Sequence, residues 1–113
     1  MNRIKRFNEN NLVDDSLVKD ISDRIITFLD QNSIRTWDKF VESEFARNVV
    51  NKIIDKSVRT DQELKEVKFY MKLHLYNNDQ LKSLLNKYTE IEEFEKCQII
   101  HDKITSFEMS SHF

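Results

Sequence analysis

A chain of 113 residues with neither glycine nor proline has few ways to fold. Tight β-hairpin turns need positive φ, which glycine supplies without a Cβ clash, so an all-β arrangement lacks its usual corners here. Helix ends are less demanding. Asparagine takes the left-handed position at moderate cost, and Asn32 and Asn77 are the expected substitutes. With 34% charged and 39% hydrophobic residues there is material for both a solvated face and a core. The expectation is an all-α fold: a compact bundle of four to five helices on short polar connections, with a C-terminal helical hairpin. The same absence excludes a glycine-rich phosphate loop, a dinucleotide fingerprint and a glycine-flanked nucleophile elbow.

The length suits a single domain, residues 1–113. It reads as a polar lead-in (1–13), a three-helix core (14–76) and a helical hairpin (78–108). The formal net charge is −2, without the basic excess a duplex-binding domain carries, so direct nucleic-acid binding is disfavoured. The only basic cluster, Arg3, Lys5 and Arg6, reads as a solvated tail. A single cysteine, Cys97, excludes an internal disulfide and suits a reducing compartment. No apolar run approaches the ~18 residues of a membrane span. The start of the chain lacks the apolar core of a signal peptide. The expected location is the cytoplasm, or the host's cytoplasm for a viral protein.

Hydrophobic spacing of three and four places the helices. The first runs from about 14 to 31, capped by Asp14 or Asp15, with Leu17, Ile21, Ile25, Phe28 and Leu29 on one face. The second starts after the N-cap candidate Thr36 and runs from 37 to about 56. Its stripe is Trp37, Val41, Phe45, Val49 and Ile53, widened by Val50 and Ile54, and it is expected at the centre of the core. Trp37 reads as core, with an interface anchor as the alternative. Thr60 and Glu63 have capping-box spacing and open a third helix to about 76. It buries Leu64, Val67, Met71 and Leu75, and Phe69, Tyr70 and Leu73 then need a second buried side or a partner. A fourth helix carries Leu81, Leu84, Leu85 and Tyr88; a fifth, from about 93 to 107, carries Phe94, Cys97, Ile100 (or His101) and Ile104.

The segment 81–107, LKSLLNKYTEIEEFEKCQIIHDKITSF, resembles the UVR motif. This is the short helical hairpin of excision-repair subunits B and C and of some bacterial stress regulators. The resemblance rests on a leucine-rich first helix, on Glu93-Phe94-Glu95 followed by Cys97 at the small-residue position, and on Ile100-His101-Asp102-Lys103-Ile104. His101 stands where the family usually has Arg, and Tyr88 and Gln98 stand where small residues are common. The resemblance implies binding rather than catalysis, because the family's hairpin associates with another copy of itself on a partner. Two short helices cannot bury their apolar faces alone, so such a hairpin packs on its own domain or on a second hairpin.

The candidate chemistry is thin. Cys97 and His101 share a helical face at i,i+4, but a structural zinc site needs four ligands and no second cysteine exists. A thiol nucleophile needs an orienting group, and Asp102, adjacent to His101, points away from it. No cofactor, metal or catalytic residue is expected, and the chain reads as a non-enzyme. Glu90, Glu92, Glu93 and Glu95 form an acidic knot at the hairpin turn. It reads as a solvated face that complements the positive end of the following helix, with docking of a basic partner as the alternative. The leading function is a protein–protein interaction module that binds a protein partner or itself. Leu81, Leu85, Phe94, Cys97, Ile100 and Ile104 are its apolar contact, flanked by Glu95 and Asp102. The second reading is a small, phage-encoded inhibitor of a nucleic-acid-processing enzyme or host defence system, suggested by size, Asn/Lys/Ile-rich composition and the acidic knot.

Overall fold

The computed structural model describes residues 13–110. The basic cluster Arg3, Lys5 and Arg6 and nearly all of the expected lead-in lie outside the described residues. Those described contain six helices and no strand: α1 (Asp15–Gln31), α2 (Trp37–Glu42), α3 (Glu44–Ser57), α4 (Asp61–Leu75), α5 (Asn78–Glu90) and α6 (Phe94–Ser110). The fold is all-α, with one helix more than the upper expectation. The sequence reads as one domain; the contacts fall into two compact units that divide between His74 and Leu75. The division arises because α5 and α6 make their most extensive contacts with each other.

In the first unit, α1 begins at Asp14, whose Oδ1 accepts the Leu17 amide at 3.1 Å. Val18, Ile21, Ile25 and Leu29 are buried along its inner face, each such aliphatic side chain contributing about 1.5–3 kcal/mol. The helix stops in a Schellman turn. The Ser33 amide donates to the Asp30 carbonyl at 3.1 Å, and the Ile34 amide donates to the Leu29 carbonyl at 2.9 Å. Ser33, not Asn32, holds the left-handed position, at φ 60°. Asn32 remains at φ −103°, and its Nδ2 donates to the Phe28 carbonyl at 2.8 Å. That side-chain bond ties Asn32 back onto the last turn, so the left-handed step falls one residue later.

The expected second helix is two helices. Ser43 leaves helical geometry at φ −94°, ψ 103°. Its amide closes α2 on the Lys39 and Phe40 carbonyls, and its Oγ accepts the Ala46 amide to open α3. One serine is both C-cap and N-cap. The expected stripe steps by four residues and so drifts about 40° per step at 3.6 residues per turn, which carries Val41 and Phe45 off the core face. Phe40, Ala46, Val50 and Ile54 are buried. Trp37, Val49 and Ile53 are half-buried, and Val41 and Phe45 are exposed.

Helix α4 follows Thr60, whose Oγ1 accepts the Glu63 amide at 3.1 Å, as the capping box predicts. The Glu63 carboxylate reaches further than a local cap. Its Oε1 accepts the Arg59 amide at 3.0 Å, and its Oε2 accepts the Asp14 amide at 3.1 Å, from a residue 49 positions away. At the far end of the helix, His74 Nε2 lies 2.9 Å from Asp30 Oδ1. Ties at both corresponding ends set α1 and α4 parallel. Val67, Phe69, Met71 and Leu75 are buried and Tyr70 and Leu73 half-buried, so α4 is covered on more than one side.

In the second unit, Asn77 caps α5 rather than taking a left-handed turn. It sits at φ −79°, ψ 179°, and makes a complete capping box with Gln80. Its Oδ1 accepts the Gln80 amide at 2.8 Å, and Gln80 Oε1 accepts the Asn77 amide at 2.9 Å. Helix α5 ends in a second Schellman turn: the Glu92 amide donates to Thr89 O at 3.1 Å and the Glu93 amide to Tyr88 O at 3.0 Å. Glu92 carries the left-handed φ of 60°. Residues 91–93 therefore reverse the chain, and α6 returns along α5.

Candidate functional site

The hairpin formed by α5 and α6 holds every residue singled out for partner binding. Its inner seam consists of Leu81, Leu84, Ile100 and Ile104, all buried, with Leu81 and Ile100 at 0% exposure. Leu85 and Cys97 are half-buried, and Phe94, Glu95 and Asp102 are exposed. The eight candidates thus divide: Leu81, Ile100 and Ile104 shape the hairpin from within, while Phe94 is the apolar residue most open to solvent, 64% exposed.

Polar contacts brace the seam near its closed end. Thr89 Oγ1 donates to the Leu85 carbonyl at 2.8 Å and lies 3.5 Å from Cys97 Sγ, linking the two helices. The thiol is therefore a packed group next to a hydroxyl. On the outer face of α6, Gln98 Nε2 donates to Asp102 Oδ1 at 2.9 Å; the Nζ of the half-buried Lys96 lies 3.8 Å from Glu93 Oε1. Tyr76, at the entrance to α5, has its phenol pushed above the ordinary tyrosine range by burial and by neighbouring Tyr88.

The tip of the hairpin differs from its sides. Ile91 is 57% exposed and lies three positions before Phe94. Around them Glu90, Glu92, Glu93 and Glu95 are all exposed. Ile91 escaped the sequence reading because it falls in the acidic stretch that interrupts the helical pattern. A lone Ile between glutamates in a three-residue turn has no helical neighbour to cover it, and that signal was available. Phe107 and Met109 are also exposed, but Phe107 lies about 20 Å from Phe94 along the axis of α6.

Elsewhere the first unit carries an open depression of about 390 Å³ lined by Ile34, Lys39, Glu42 and Phe45 among others. The exposed Phe45 ring lies 5.9 Å from that of Phe28. Among the described residues no group of three or more His, Cys, Asp or Glu side chains is placed to share a metal ion, and His101 is exposed. No helix among them is long and apolar enough to cross a membrane.

Glu63 is the one buried ionisable side chain among the described residues, 1% exposed. Burial pushes its carboxyl upward. The Arg59 and Asp14 amides and the Arg59 guanidinium outweigh that, and hold it below the ordinary carboxylate range. Arg59 also reaches Asp14 Oδ2 at 3.5 Å. With all its close partners structural, this cluster fastens α1 to α4 and presents no free base.

No family model, curated protein or solved structure matches the chain.

Proposed function

We propose that this protein is a non-enzymatic interaction module that binds a protein partner, or a second copy of itself, through the α5–α6 hairpin. The observation that carries the reading is the exposure of Phe94 and Ile91 at the closed end of a hairpin whose inner seam is already filled. Large apolar side chains held on a rigid turn offer a contact without further folding, and such anchors dominate interface energetics. The sequence resemblance to the UVR hairpin points the same way, since that family binds through this element. A half-buried lone thiol suits the reducing interior of a cell.

The test compares the intact chain with the Ile91→Ser, Phe94→Ser double variant. Light scattering after size exclusion reads self-association, and affinity capture from the native host reads partner binding. Both residues are exposed, so the variant should keep its helical circular dichroism and lose the association. If a folded double variant captures the same partners, or forms the same oligomer, the hairpin tip is not the interface and the reading fails.

A further inference from the structure

The interaction reading leaves the partner's chemistry open, and the tip narrows it. Two exposed apolar side chains, Ile91 and Phe94, stand within four exposed glutamates at positions 90, 92, 93 and 95. Glu93 has Lys96 as an ion-pair partner. Among the described residues no basic side chain forms an ion pair with Glu90, Glu92 or Glu95, and all three lie within four residues of Phe94. A second copy is a poor occupant for two reasons. Docking tip to tip would bring like charges together around the apolar contact, which costs several-fold to many-fold in affinity. Two side chains also fall far short of the ~800 Å² per partner that a stable dimer buries.

We infer that the hairpin tip docks a short cationic segment of a partner protein, one with aliphatic or aromatic residues set among lysines or arginines. Ile91 and Phe94 supply the apolar contact, and Glu90, Glu92 and Glu95 the complementary charge. The Schellman turn at Glu92 holds this array in one geometry, so little order is lost on binding. The segment is short because the apolar area is small, and its binding is correspondingly weak and salt-sensitive. This inference rests on the interaction-module reading and assigns the kind of partner it takes.

The test uses fluorescence anisotropy with the intact chain and three labelled peptides. One is an amphipathic leucine/lysine peptide, one has every lysine changed to glutamate, and one has every leucine changed to serine. The leucine/lysine peptide should bind in the micromolar range and weaken several-fold as salt rises from low to physiological levels. Its affinity should fall about tenfold or more for Ile91→Ser, Phe94→Ser, and similarly for Glu92→Lys, Glu95→Lys, which keeps the apolar pair. The other two peptides should bind at least ~10-fold more weakly. Undiminished binding by either variant, equal binding of the glutamate peptide, or no binding of the lysine peptide overturns the inference. So does concentration-dependent dimerisation that Ile91→Ser, Phe94→Ser abolishes, since the occupant would then be a second copy. In that last case the interaction-module reading survives, so the two failures are told apart.

Discussion

Consider Glu63→Gln in the intact chain. The carboxylate is almost wholly buried and accepts two backbone amides, Arg59 at 3.0 Å and Asp14 at 3.1 Å. Glutamine keeps the shape and one acceptor oxygen but turns an NH₂ group toward one of the two donors. One amide loses its partner, and the charge assistance to the other disappears. Losing one such part-buried bond costs about 1–2 kcal/mol. For a domain of this size that lowers the melting midpoint by about 5–10 °C. The pH dependence follows from the depressed carboxyl. A group held below its unfolded value stabilises fully above that value, about 4.3, and the contribution fades as pH falls through the folded value. The gap between native chain and variant should therefore be constant from neutral pH to about 5 and close in stronger acid. Thermal unfolding followed by circular dichroism from pH 7 down through the acid range measures both. Equal midpoints at pH 7, or a gap that does not narrow as pH falls below the unfolded value, would refute the assignment of Glu63 as an ionised clamp.

Two further perturbations address the turns and the core. Ser33→Gly and Glu92→Gly each relieve a Cβ clash at φ 60°, and each should raise stability by about 0.5–1 kcal/mol after the entropy lost by glycine is subtracted; chemical denaturation reads the gain, and a loss at either site would contradict the left-handed turn. Ser22 is buried with an Oγ that has no hydrogen-bond partner among the described residues, so Ser22→Ala should stabilise by about 0.5–1 kcal/mol by removing an unpaired hydroxyl from a helix interior; a destabilised variant would show that the hydroxyl is bonded.

Much of this architecture was legible from periodicity and caps. The faces of α1 and of the hairpin follow from three-and-four spacing, and Asp14, Thr36 and Thr60 lie at or before their helices for the reason their side chains predict: each can accept an orphan amide. The failure at Ser43 is instructive. An isolated serine inside a strong apolar pattern costs little helix propensity, so nothing local marks it as a break until its hydroxyl is seen to accept the Ala46 amide. Within α3 the core face runs through Ala46, Val50 and Ile54, and Phe45 lies off it. The left-handed positions were misplaced for a related reason. Asparagine tolerates that conformation, but it also makes a good cap, and at Asn32 and Asn77 the side-chain bonds won. In the candidate site, sequence pattern located the hairpin but could not separate seam from surface. Leu81 and Phe94 carry the same hydrophobic signal, and only the fold puts one inside and leaves the other in water.

The bond from Glu63 to the Asp14 amide joins residues 49 apart, whereas the hairpin closes across three residues, 91–93. Bringing chain ends together costs entropy that grows with the logarithm of the loop, so the longer closure is dearer by about 2.5 kcal/mol. The hairpin's closure is the more local of the two. The first unit closes on a residue 49 positions away, and the Glu63 carboxylate fastens that closure.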